Sequence, residues 1–140
     1  MRAPAPRPAR ASGAAAADGE TIRARYRDLL GSVPPAIEDR IRLCEEAGRT
    51  GALTAVEDLR AALIMDNPLE RKVAQLVHFG QLLVLGRAGA ARLHATAARR
   101  AGASLPELLG VAELALITGG MPAYSLGIEI LAEPPDVGTP

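Results

Sequence analysis

Beyond residue 20 the apolar positions of this chain recur every three to four residues, and no stretch alternates as a strand would. Ile22, Tyr26, Leu29 and Leu30 share one side of a helix predicted over residues 20–30, which Gly31 and Ser32 end. Pro34 and Pro35 open a second helix at the turn that tolerates proline, and Ile37, Ile41 and Cys44 follow on one face. Gly48 and Gly51 bracket a turn. Thr54 and Glu57 have the spacing of a capping box, ahead of a helix that carries Val56, Leu59, Leu63 and Ile64. Asn67 and Glu70 repeat that spacing, with Pro68 as first helical residue of the longest apolar stretch, residues 68–85. Leu69, Val73, Leu76, Val77, Gly80, Leu83 and Val84 cover so much of its circumference that this helix is expected to be central, with Gly80 permitting a close crossing. Its polar insertions are Gln75, His78 and Gln81.

Residues 86–89 read as a break or kink before a helix over 90–100, closed by Gly102. Ser104 and Glu107 form a third capping box, and the helix they start carries Leu108, Leu109, Val111, Leu114, Ala115 and Leu116 up to Gly119 and Gly120. Met121 and Pro122 begin a last helix with Leu126, Ile130 and Leu131. The expected architecture is an all-α bundle of six to seven short antiparallel helices over residues 20–133. An Ala/Pro/Arg tail over 1–19 and a short tail over 134–140 bury too little apolar area to offset their ordering entropy.

Composition changes this picture in one respect. Hydrophobic residues make up 49% of the chain, much of it alanine, so each helix offers an apolar stripe but little area. A core this thin calls for a partner surface, and a homo-oligomer supplies one. Charge and aromatic content argue against nucleic acid: 16 basic and 16 acidic residues cancel, and Tyr26, Tyr124 and Phe79 are the only aromatics. No run reaches the roughly 18 apolar residues of a membrane span, and no secretion signal is visible, so a soluble, cytoplasmic protein is expected.

The candidate chemistry is sparse. Cys44 is the only cysteine and the histidines number two, His78 and His94, which makes neither an internal disulfide nor a credible zinc set. Cys44 reads as a small core residue. A phosphate loop and a dinucleotide fingerprint are both missing, so no cofactor and no metal are expected. Attention therefore falls on His94.

Residues 69–132 resemble the carboxymuconolactone decarboxylase family, whose superfamily includes the alkyl hydroperoxidase D-like proteins. The resemblance is carried by Leu82-Leu-Val-Leu-Gly-Arg87, by Arg92-Leu-His94, and by Ala98 with the Ala101-Gly-Ala-Ser104 turn and Pro106-Glu-Leu. Gly119-Gly-Met-Pro-Ala123 completes it. It implies an all-α subunit of alkyl hydroperoxidase D-like fold that assembles into dimers, trimers or hexamers. The peroxidase-like branch uses a Cys-x-x-Cys pair ahead of a histidine; counted back from His94, those cysteines fall at Arg87 and Ala90. The acidic residue that precedes them falls at Gln75. Sequential thiolate attack and resolution need both sulfurs, so a peroxidase is not expected. The decarboxylase branch lacks the pair and keeps a histidine at the place of His94, but its glutamate falls at Ala90 and its further histidine at Leu114.

The resemblance thus implies a cofactor-independent lyase that decarboxylates a small carboxylated lactone or related enolisable compound. Such a reaction leaves an enolate-like carbanion, which needs donors where charge develops and a proton delivered to carbon. His94 and His78 are the candidate catalytic residues, on the expectation that His94 titrates near neutrality. Arg87 and Arg71 are candidate carboxylate ligands through the guanidinium fork, and Tyr124 a candidate hydrogen-bond donor. The same residues suit an isomerase or cyclase on a similar substrate. A non-catalytic ligand-binding or structural oligomer is the alternative, in which His94 packs against apolar side chains or lies exposed.

Overall fold

Seven α-helices and no strand make up residues 18–135, the part of the chain described by a computed structural model. They are α1 (Gly19–Leu30), α2 (Pro35–Glu46), α3 (Thr50–Ile64), α4 (Arg71–Val84), α5 (Ala88–Arg100), α6 (Leu105–Gly119) and α7 (Met121–Ala132). None of these helices is long and apolar enough to cross a membrane. The expected tails lie outside the described residues, apart from Asp18, which caps α1 by accepting the Thr21 N–H at 2.8 Å, Gly19, which begins it, and Pro134 and Pro135.

Local signals placed most boundaries. α1 buries the four residues its spacing singled out, Ile22, Tyr26, Leu29 and Leu30, and stops at Gly31 with φ +84°. The Ser104 capping box is formed on both sides: Ser104 Oγ accepts the Glu107 N–H at 3.2 Å, and Glu107 Oε2 accepts the Ser104 N–H at 2.8 Å. The break before α5 is real and turns at Gly86, φ +69°.

Two of the expected capping boxes are not helix starts. Thr54 lies inside α3, which begins at Thr50, and Glu57 is turned into the core instead of back onto the backbone. Asn67 forms a local turn: its Oδ1 accepts the Leu69 N–H at 2.9 Å and its Nδ2 donates to the Leu63 carbonyl at 3.0 Å. With that side chain spent two residues on, α4 starts at Arg71 and Pro68 sits in the turn.

The core has two parts. Phe79, Leu82, Leu83, Ala91, Ala95, Leu108, Ala112 and Ile130 are among the residues that join α4 to α7 in one cluster. Ile22, Tyr26, Leu29, Ile37, Ile41 and Leu53 join α1 to α3 in the other, with Ala97 of α5 against them and half-buried Cys44 at its margin. A buried polar group anchors this second cluster. Glu57, 2% exposed, accepts from Arg40 at 2.6 Å and from the Tyr26 hydroxyl at 3.1 Å. That pairing explains why α3 turns its Leu53–Glu57 side inward and leaves Val56, Leu59 and Leu63 exposed.

α4 packs against α5, α6 and α7, as its apolar circumference suggested. A Cβ on Gly80 would come within 2.9 Å of Val111 Cγ1, so this glycine does set the α4–α6 approach. Gly127 does the same for α7, where a Cβ would lie 2.7 Å from that of Ala112. The circumference is divided, however. Gln75, Phe79, Leu82 and Leu83 face the bundle, whereas Leu69, Val73, Val77 and Val84 are 38–48% exposed. One layer of neighbours covers only one stripe of the helix.

Candidate functional site

The site begins with alanine. Ala91, Ala95 and Ala98 form the buried face of α5 and let it lie close to α4. His94 lies on that face, one turn after Ala91, and is the only large side chain among its buried residues. Burying an imidazole is costly unless its nitrogens find partners, and α4 supplies one. His94 Nδ1 donates to Gln75 Oε1 at 2.7 Å, with both residues buried. An amide oxygen only accepts, so the proton of the neutral ring resides on Nδ1 and the lone pair on Nε2.

His78, one turn after Gln75 on α4, brings a second imidazole. The ring centroids of His78 and His94 are 3.9 Å apart and the planes are inclined at 43°. Burial lowers the pKa of His94 from 6.5 to about 3, reinforced by the nearby His78 and Arg60. Burial and then the Arg60 charge also lower that of His78. Both rings are therefore neutral at neutral pH. This corrects the expectation that His94 titrates near neutrality: for a buried imidazole the desolvation cost is too large for it to take up the proton there.

The pair lies beside a cleft that His78 borders. A cleft of about 480 Å³ is bordered by Arg60, Ile64, Asn67, Gln75, His78 and Gln81, among others. His94 does not line it and stands behind His78 and Gln75, 4% exposed. Of the two histidines, His78 is the one that borders the cleft, and His94 lies behind it.

The other expected site residues lie elsewhere. Arg71 is tied to Asp28 at 3.2 Å, and Arg87 is exposed at the residue before α5. Tyr124 is half-buried against the α4–α7 core. None of the three lines the cleft. Ala90 packs against the same core, and Leu114 is 70% exposed on the outer side of α6, so neither place adds a polar group beside His94.

Two residues of the site were not singled out from sequence. Gln75 carried a signal, since it lies three residues before His78 on a helix and takes the place of an expected acid. Arg60 carries none, because nothing in its sequence neighbourhood marks it out from the other arginines. Its guanidinium carbon lies 5.0 Å over the Tyr26 ring, and its side chain reaches the cleft on the other side. Among the described residues, no group of three or more His, Cys, Asp or Glu side chains is placed to hold a metal ion.

No curated protein and no solved structure matches the chain. The sequence model of the carboxymuconolactone decarboxylase family does match, over residues 51–133, from the first turn of α3 to the end of α7. That span is more than half of the chain and contains every residue of the His78–His94 cleft. The all-α fold and the absence of a Cys-x-x-Cys pair agree with it, and the chain belongs to the carboxymuconolactone decarboxylase family as a divergent member.

Proposed function

We propose that this chain is a cofactor-independent enzyme of small carboxylated, enolisable compounds, with His78 at the substrate and His94–Gln75 behind it. The observation that carries this reading is the buried, hydrogen-bonded His94 in tilted ring contact with a histidine that borders a cleft. A histidine kept only for packing has no need of a second imidazole, and a cleft is where perturbed groups mark chemistry. Family membership favours decarboxylation of a carboxylated lactone. In that reaction the bond to the carboxylate breaks, carbon dioxide leaves, and the electron pair enters the adjacent carbonyl as an enolate. His78 takes a proton from water in the open cleft on its bare ring nitrogen and passes it to the carbanion carbon, returning to the neutral ring, while the hydroxide left behind combines with the carbon dioxide as bicarbonate.

The neutral state of both rings gives specific support to a second reading, isomerisation or cyclisation. A neutral imidazole is poised to remove a proton from carbon and return it elsewhere, with no net proton change.

The same proposal includes a homo-oligomer. Val73, Val77, Val84 and Leu114 are exposed along α4 and α6, around an open apolar groove of about 660 Å³. Val77 and Gln81 border both this groove and the His78 cleft, so a second copy seated on the groove would also wall the site. Exposed apolar area on this scale marks an interaction surface.

The test is to incubate the purified chain in deuterated water with a panel of carboxylated lactones and β-keto acids, and to follow products by mass spectrometry. Loss of carbon dioxide identifies decarboxylation, and deuterium gain without that loss identifies isomerisation or cyclisation. If every panel member is returned unchanged and unlabelled, the reading as an enzyme of these compounds is contradicted and a ligand-binding or structural oligomer takes its place.

A further inference from the structure

Among the described residues, seven of the twelve arginines pair with a carboxylate, and Arg99 and Arg100 donate to the carbonyls of Leu131 and Arg27. Arg23 pairs with Glu38, Arg25 with Asp58, Arg27 with Glu20, Arg40 with Glu57, Arg71 with Asp28, and Arg92 with Glu129 and Glu133. Arg42 takes both Asp39 and Glu46. Arg60 differs. Glu57, the carboxylate one turn before it, is occupied by Arg40 and Tyr26, and Asp58 by Arg25. Among the described residues Arg60 has neither a carboxylate partner nor a hydrogen bond; its one contact of note is with the face of Tyr26, which uses none of its N–H donors. Arg49 and Arg87 are also unpaired among these residues but are exposed, whereas Arg60 is half-buried and borders the cleft with His78.

We infer that Arg60 is the anchor for a small monocarboxylate in the His78 cleft. A half-buried guanidinium without a partner is a strong site for a bidentate carboxylate, because pairing there loses less to water than at the surface. The charge count favours a single carboxylate over a phosphate dianion: Arg60 is the one cation bordering the cleft, and Lys72 nearby on α4 is held by Glu107 at 3.0 Å. The remaining wall suits a small carbon body, with Leu63, Ile64, Leu69 and Val77 apolar and Gln81 offering an amide. A volume of about 480 Å³ is in the range that takes a small organic molecule. Tyr26 lies against the guanidinium and His78 borders the same cleft, so a carboxylate held by Arg60 brings the rest of the molecule into the space that the imidazole lines. Arg60 thereby takes the place that sequence reasoning gave to Arg87 and Arg71.

This inference rests on the proposed site but not on its turnover, so it is tested by binding. The full chain, labelled with nitrogen-15, is titrated with levulinate, a stable keto acid, and separately with its methyl ester, while the histidine ring signals are followed. Levulinate should shift the His78 signals with saturation, and the ester should bind at least about tenfold more weakly. Arg60→Met keeps the stem over Tyr26 and should weaken levulinate binding by about tenfold or more, and Arg60→Lys should restore part of it. Arg87→Gln should bind as the wild type does. Equal binding of acid and ester, equal binding to Arg60→Met, or no effect of levulinate on wild-type His78 would each overturn the assignment. Should Arg60→Met lose its helical circular dichroism, the acid–ester comparison on the wild type decides alone. Arg60-dependent binding without any panel turnover would remove the enzymatic reading and keep the anchor; turnover with Arg60-independent binding would do the reverse.

Discussion

His78→Gln is expected to slow turnover by about 10²–10⁴-fold, the usual loss when a positioned acid–base group is removed. Glutamine has a similar length and polarity, so the half-buried position stays filled and the α4–α5 contact persists. His94→Gln should cost less. A glutamine there still hydrogen-bonds Gln75, and residue 94 is walled off from the cleft, so the change reaches the reaction only through the seating of His78. The pH profile separates the two roles. In the isomerisation or cyclisation reading His78 is a base that must be neutral to act, and it titrates below its ordinary 6.5. In that reading wild-type kcat/KM should be level above about pH 6.5 and decline only as the pH falls through that lowered value, whereas a ring that delivers a proton in a decarboxylation gives no such decline. This acid limb should vanish with His78→Gln. A His78→Gln enzyme that turns over at the wild-type rate would remove His78 from the chemistry.

Acid should also destabilise the fold well before its carboxylates respond. The unfolded chain binds a proton on each histidine near pH 6.5, whereas His94 in the native state binds one only near pH 3. Between those values the unfolded state holds more protons, so unfolding free energy rises with pH and is lost as pH falls. One proton of difference amounts to about 1.4 kcal/mol per pH unit, so roughly 2–3 kcal/mol should be gone by about pH 4.5. His78, shifted in the same direction, adds to the loss. Asp18, Glu38 and Glu107 are each held below their ordinary values, by the Thr21 hydrogen bond, the Arg23 hydrogen bond and the Ser104 backbone hydrogen bond respectively, so their effects fall at lower pH. Urea unfolding at successive pH values checks this, and His94→Gln should flatten the slope. A wild-type slope near zero between about pH 6.5 and 4.5 would mean that His94 protonates freely in the native state.

How far these features could be read from the sequence follows from the range of the interactions that create them. The α1 face, the Ser104 capping box, the turn at Gly86 and the Gly80 crossing are local or nearly so, and periodicity and turn chemistry reveal them. The false capping boxes at Thr54 and Asn67 show the limit: a side chain at the right spacing has other backbone groups to bond, and Asn67 takes those of Leu63 and Leu69. Which stripe of α4 and α3 turns inward depends on partners distant in sequence, such as Arg40 and Tyr26 for Glu57. His94 and His78 stood out as the only two histidines of the chain. Arg60 did not, because its role rests on what its neighbours are already bonded to. Arg71 and Arg87 looked equally suitable as charges, but one is neutralised by Asp28 and the other points to solvent.

The site is built on a neutral His94 fixed by Gln75, and the ring nitrogens of the labelled protein report on this directly. Long-range proton–nitrogen correlation spectra at neutral pH should show both imidazoles uncharged, with His94 protonated on Nδ1 and bare on Nε2, and with His94 unchanged on acidification until the fold is lost. A His94 ring that carries two protons at neutral pH, or carries its single proton on Nε2, would contradict the hydrogen bond to Gln75 and the site built upon it.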